Sequence, residues 1–116
     1  MGKSKAQGTR FETELVNYFT NVGFAAGRLA EGGRNDRGDI LIHNDIDEQW
    51  VVEAKATERL NVTRVLAKAI YKGGPRTVLI WKRLVKTGKQ IRQADGEKIV
   101  VVMTLGQFTE LLRERL

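Results

Sequence analysis

Two uninterrupted apolar runs, Thr77 to Trp81 and Ile99 to Met103, constrain the fold more than any other feature of the chain. A strand with one wet face alternates apolar and polar residues, whereas a strand covered on both faces reads as a continuous run. Both runs therefore predict central strands, and central strands need helices to cover them. The sequence supplies three. From Thr9 onward, Phe11, Leu15, Tyr18, Phe19 and Val22 fall on one helical face, and Thr9 and Glu12 have the spacing of a capping box. That helix should end near Asn21 or Gly23. Asn61 opens the second, with Val62, Val65, Leu66, Ala69 and Ile70 along one face and Gly73 and Gly74 stopping it. Thr104 caps the third, whose Leu105, Phe108, Leu111, Leu112 and Leu116 are expected to face the sheet.

Shorter strands are predicted over Phe24–Leu29, Asp39–His43 and Gln49–Ala56, the last two joined by the turn-rich "NDIDE" as an antiparallel hairpin. A polar, glycine-rich loop, Ala30–Gly38, precedes the hairpin, and a basic excursion, Val85–Lys98, separates the two apolar runs. The order helix, strands, helix, two strands, helix specifies a small α/β layer protein. A chain of 116 residues fits one domain, expected over residues 9–116, with residues 1–8 as a flexible basic arm. No glycine fingerprint follows a strand and there is no P-loop, so nucleotide-binding folds are not indicated.

The absence of Cys removes disulfides, zinc–thiolate sites and thiol nucleophiles, and fits a reducing, cytoplasmic setting. No apolar run approaches the roughly 20 residues that span a bilayer, so no membrane partner is expected. A formal charge of +6, from 20 Lys and Arg against 14 Asp and Glu, favours polyanionic partners.

Inside that positive field, "RGDILIHNDIDEQWVVEAKAT" gathers acids where strands should be entering a core. If the two segments pair so that His43 faces Gln49, Asp39 lies opposite Glu53, and strand periodicity puts Lys55 on the same face. Cross-strand neighbours are about 5 Å apart at Cβ. Two carboxylates at that distance repel unless a cation accompanies them, and magnesium, which takes oxygen ligands and keeps exchangeable waters, is the natural one. Glu12 on the first helix is placed to complete the metal shell or its water network, and Lys55 to orient or deprotonate an attacking water. Plainer roles compete: Glu12 as a helix cap, Asp39 as a turn residue, Glu53 and Lys55 as alternating charges on a solvated strand, and His43 as a surface residue at the hairpin end.

The segments "GTRFETELVNYF", "GFAAGRL", "RGDILI" and "WVVEAKAT" together resemble the archaeal-type Holliday junction resolvases, with related small enzymes in phages, within the PD-(D/E)xK nuclease superfamily. The likeness covers residues 5–57 by motif and the rest by element order. It implies a restriction-endonuclease-like single domain, a central mixed β-sheet flanked by helices. Position by position, Glu12 matches the family's helix acid, Asp39 and Glu53 its metal carboxylates and Lys55 its catalytic lysine. The Ala54 carbonyl would also face the metal, Arg28 matches a basic residue of the DNA surface, and Thr57 falls at a hydroxyl position. Gly38 stands where the motif nominally has Pro, and Thr13 where the archaeal enzymes often have Arg, with Arg10, Arg34 and Arg37 as substitutes.

The implied activity is a magnesium-dependent endonuclease, with manganese expected to substitute, that resolves four-way junctions by paired symmetric nicks leaving 5′-phosphate ends. The implied assembly is a symmetric homodimer, with Tyr71, Trp81, Leu84 and the last helix as candidate dimer surface, each of them equally readable as core and Trp81 better read so; the setting is a prokaryotic, archaeal or phage-infected cell. A junction is a shape, so basic residues should hold phosphates and leave bases unread. Lys3, Lys5 and Arg10 are expected to follow the backbone, Arg34 and Arg37 to flank the acids, and Lys82 and Arg83 to open a second basic segment. The alternatives are an endonuclease for other branched or duplex DNA, and a non-catalytic DNA-binding protein on a nuclease scaffold.

Overall fold

A computed structural model describes residues 2–29, 37–87, 90–93 and 99–114. Helix α1 (Gly2–Asn21) precedes strands β1 (Ala25–Arg28), β2 (Ile40–His43) and β3 (Gln49–Thr57). Helix α2 (Val62–Gly73), strands β4 (Thr77–Thr87), β5 (Gln90–Gln93) and β6 (Ile99–Val102), and helix α3 (Leu105–Glu114) follow. The six strands form a mixed α/β sheet: β1, β2 and β3 are an antiparallel meander, and β3 and β4 are parallel across α2. Beyond β3, β4 pairs antiparallel with β6 over Leu79–Lys82 and with β5 over Leu84–Thr87.

Side-chain alternation along β3 divides the interior. Val52 and Ala54 join Phe11, Leu15, Ile40, Ile42, Val78 and Ile80 in one buried cluster under α1. Val51 and Leu79, fully buried on the opposite face, are covered by α2 through Leu66 and Ala69. Helix α2 starts and stops as its sequence predicts. The Asn61 side chain accepts from the Arg64 N–H at 3.2 Å, and the Gly74 N–H returns to the Ile70 carbonyl at 2.8 Å. Gly73 is required by contact: a Cβ there would lie 2.5 Å from Thr77 Oγ1 and 2.7 Å from the Arg37 carbonyl.

Three expectations are corrected. Helix α1 begins at Gly2, so the stretch expected as a flexible arm continues the helix, and Thr9 and Glu12 lie inside it and cannot form its cap. Lys3, Lys5, Ala6 and Gln7 are good helix formers, and the glycines at 2 and 8 are weaker breakers than proline. The run at Ile99–Met103 contributes an edge strand instead of a doubly covered one: Val100 and Val101 are 41% and 55% exposed. Helix α3 does not bury its apolar stripe either, leaving Leu105, Phe108 and Leu112 exposed. It is fixed at its start by polar contacts. Thr104 and Gln107 exchange the two bonds of a capping box, at 3.0 and 2.7 Å. Gln107 Nε2 then donates to the carbonyls of Pro75 and Thr77 at 2.9 and 2.6 Å.

The basic excursion carries more structure than its composition suggests, since β4 runs on to Thr87 and turns back as β5. Residues 88–89 and 94–98 of that segment lie outside the described residues. No helix among the described residues is long and apolar enough to cross a membrane.

Candidate active site

The β2–β3 register pairs Ile40 with Val52 and His43 with Gln49, the register on which the Asp39–Glu53 pairing was expected. The ladder stops one step short of it. The Asp39 N–H donates to the Val52 carbonyl at 2.9 Å, so the chain bulges at the mouth of β2. Gly38 makes the bulge feasible. Its φ is +154°, and a Cβ there would lie 2.5 Å from Val51 Cγ1 and 3.3 Å from the Val52 carbonyl oxygen. Proline, fixed near φ −65°, cannot adopt this conformation, which accounts for glycine at the position where the motif nominally has Pro.

The bulge carries the Asp39 carboxylate past Glu53 to the next residue, where Oδ2 accepts from the Ala54 N–H at 2.8 Å. The Asp39 carbonyl in turn accepts from the Leu29 N–H at 2.9 Å, tying the end of β1 to the same spot. Backbone direction follows from these bonds. Val51 N–H donates toward β4, at the Arg76 carbonyl, while Val52 and Ala54 bond toward Asp39. Within a strand a residue's N–H and C=O point to the same side, so the Ala54 carbonyl is directed toward Asp39 as well.

Glu53 and Lys55 project from the α2 face of β3, with Lys55 Nζ 3.7 Å from Glu53 Oε2. They line a cleft of about 260 Å³ whose other wall is α2, through Arg64, Val65, Lys68 and Lys72. Strand β4 borders the same face: Trp81 lies beside Lys55 and Arg83 beside Thr57. The Trp81 indole N–H donates to the Thr57 carbonyl and hydroxyl at 3.2 and 3.1 Å, which locks the end of β3 two residues beyond Lys55. Trp81 thus orients the site's edge, and Leu84 is buried, so neither offers an open dimer surface.

Glu12 reaches the end of β1, where Arg28 Nε lies 2.9 Å from its Oε1. Arg28 is adjacent in sequence to Leu29, so the pair stands next to the Asp39 backbone. Among the described residues no three Asp, Glu or His side chains gather into a metal-holding group. His43 is at the other end of β2 and its Nδ1 lies 3.1 Å from Asp47 Oδ1. The oxygens carried by this stretch are the Asp39 and Glu53 carboxylates and the Ala54 carbonyl, an all-oxygen set that would suit magnesium or manganese with water completing the shell, and not a soft metal.

The basic residues divide by strand alternation. Arg83 is exposed on the face of Glu53 and Lys55. Lys82 is not available to a ligand: it is 1% exposed, its Nζ lies 2.6 Å from Glu14 Oε1 and 5.3 Å from the centroid of the Phe11 ring. The expected DNA contact at Lys82 is therefore withdrawn, because its charge is spent within the α1 face. Arg10 is exposed on α1, and Arg37 is half-buried just before Gly38. Lys3 and Lys5 fall on the first turns of α1, and Arg34 lies outside the described residues.

Sequence reading missed Arg64, Lys68 and Lys72 as site residues. The apolar stripe of α2 dominates its pattern, yet the four-residue spacing of these cations is a usable signal that they share one face. Neither a protein-family model nor a curated protein matches the chain.

Proposed function

We propose that this protein is a magnesium-dependent, structure-selective DNA endonuclease that resolves four-way junctions by paired, symmetric nicks, on a restriction-endonuclease-like fold. One observation carries the reading. The bulge at Gly38–Asp39 fixes a carboxylate on the Ala54 amide, and the residues on either side of Ala54, Glu53 and Lys55, line a cleft walled by the cations of α2. A fold that needed only an ion pair would not require a bulge, a mandatory glycine and an amide-anchored acid at this point.

Asp39, Glu53 and the Ala54 carbonyl would hold the divalent ion, which when bound supplies Lewis-acid polarisation of the phosphate. The chain's own groups do the rest. The Ala54 N–H keeps the Asp39 carboxylate in one orientation. Lys55, beside Glu53, orients the attacking water and offsets charge that develops on the phosphate. Arg28 and Glu12 brace the β1 end against which Asp39 is hung. In the reaction the water oxygen bonds to phosphorus, the bond to the 3′ oxygen breaks, and a 5′-phosphate and a 3′-hydroxyl remain.

Two symmetric incisions need two such sites, and a two-fold dimer supplies them. What supports a dimer is the apolar surface that one chain leaves uncovered: Val100 and Val101 on β6, Leu105, Phe108 and Leu112 on α3, and Tyr71, 92% exposed, on α2. The deciding experiment incubates labelled four-way junction and linear duplex with protein and magnesium. Symmetric nicks near the crossover are expected, with the linear duplex spared. Equal cutting of both substrates would remove the junction specificity, and binding without nicks would leave a DNA-binding protein.

A further inference from the structure

On the cleft wall opposite Glu53 and Lys55, Lys72 in the last turn of α2 suits the helix dipole, but Arg64 near the start and Lys68 in the middle are not asked for by helix stability. Arg64, Lys68 and Lys72 recur every fourth residue along α2, and all three are exposed. Like charges at this spacing cost an isolated helix about 0.2–0.5 kcal/mol per pair. A helix face that is merely solvated usually offsets them with acids, but α2 contains none. The apolar stripe already fastens the helix through Leu66 and Ala69, so the cations are not needed for packing. Their side chains line the cleft together with Lys55, four cations facing the one carboxylate of Glu53.

The geometry also sets the length of the ligand. At about 1.5 Å per residue, the three side chains are stepped about 6 Å apart and span about 12 Å. A step of that size is comparable to the separation of successive phosphates along a nucleic-acid strand. One strand laid along the helix would meet the three cations in turn.

Building on the endonuclease reading, we infer that the Arg64–Lys68–Lys72 ridge is the rail for the strand to be cut, holding consecutive phosphates on one side of the scissile bond. The contacts are to backbone phosphates, so the rail is indifferent to base sequence. It acts on the strand that enters the cleft and works equally on a junction arm and on a linear duplex.

The test is a salt titration of binding by fluorescence anisotropy, on four-way junction and on linear duplex, with EDTA present so that nothing is cut. Removing one cation from a phosphate should lower the slope of log affinity against log salt by about 0.9 over about 50–200 mM salt. The Arg64→Gln/Lys68→Gln variant, with both changes on exposed helix positions, should show a slope lower by about 2 on both DNAs. Arg113→Gln, which removes a charge on the exposed face of α3, is the control for net charge and should leave the slope near that of the wild type. A double variant no shallower than the control overturns the rail. A methylphosphonate placed beside the cut site should weaken the wild type and leave the double variant unaffected; equal weakening of both also overturns it. The endonuclease reading fails separately. A wild type that binds but never nicks in magnesium removes the enzyme while a lowered slope still upholds the rail, and a wild type that nicks with an unaltered variant slope removes the rail alone. A wild type that binds neither DNA ends both.

Discussion

The two faces of β3 are built from the same nine residues and have opposite chemistry. On the α1 face, Val52 and Ala54 enter a closed apolar cluster, and a buried cation, Lys82, is paired with Glu14 and laid over Phe11. On the α2 face, Val51 is buried at the start of the strand, then Glu53 and Lys55 turn the surface charged, and α2 adds cations without acids. Charge is therefore tolerated on both faces but handled differently. Under α1 the ammonium is buried and paired with a partly exposed carboxylate; under α2 the charges are left in an open cleft. Lys82, buried and paired, is a charge that the fold tolerates, whereas the excess of cations around Glu53 is what the proposed DNA ligand would use.

The largest break in this comparison comes from the α2 face. Asp39→Asn and Lys55→Ala should each lower single-turnover cleavage of a four-way junction by about 10²–10⁴-fold. Folding should hardly respond. An asparagine oxygen can still accept from the Ala54 N–H, and Lys55 is 40% exposed at its side chain. Calorimetry run beside the assay checks the separation, and wild-type cleavage by both variants would remove these residues from the site. Phe11→Ala reverses the pattern. Phe11 is 1% exposed at the centre of the α1 cluster, so its truncation should cost about 3–5 kcal/mol in a denaturant melt.

How far these two faces were legible in the sequence follows from the range of the interactions that shape them. The hairpin register could be read because the turn "NDIDE" and the alternation on both arms fix it locally. Asn44 Oδ1 alone accepts from the N–H groups of Ile46 and Glu48, at 3.1 and 2.9 Å. Helix α2 was legible through its Asn and Gly ends. The hydrogen bond from the Ala54 N–H to Asp39 was not, because a bulge depends on how Gly38 fits against Val51, a contact that leaves no periodic trace. Lys82 misled for a related reason: in a basic segment every lysine reads as surface, and only β4's alternation against α1 assigns it to the interior. The start of α1 was misplaced because Thr9 and Glu12 imitate a cap in a helix that had already begun. Helix α3 and β6 read as covered because their apolar residues are real, but periodicity does not say whether another element of the chain reaches them.

The Lys82 pair gives a smaller, sharper test of the α1 face. Glu14→Ala leaves a buried ammonium with its partner removed and should cost about 1.5–3 kcal/mol. Lys82→Met replaces the buried charge with an apolar chain of similar length and should be nearly neutral in the same melt. If the methionine variant lost as much as the Glu14 variant, the ion pair itself would be what the fold requires, and the account of a merely tolerated charge would fail.

The smallest effect belongs to the ion pair between Arg76 and Glu48, which joins the entry of β4 to the β2–β3 turn at 2.7 Å. The Arg76 side chain is 48% exposed, so solvent screens the attraction and the ordered side chain forfeits entropy. Arg76→Ala should therefore change stability by less than about 1 kcal/mol. The backbone contact beside it, from Val51 N–H to the Arg76 carbonyl at 2.8 Å, survives the substitution and keeps β3 and β4 in register. Cleavage should remain at the wild-type rate, since the pair lies at the end of β3 away from Lys55. A marked loss of cleavage with unchanged stability would mean that the site extends down β3 to the turn, and that the division between its two faces is drawn too narrowly.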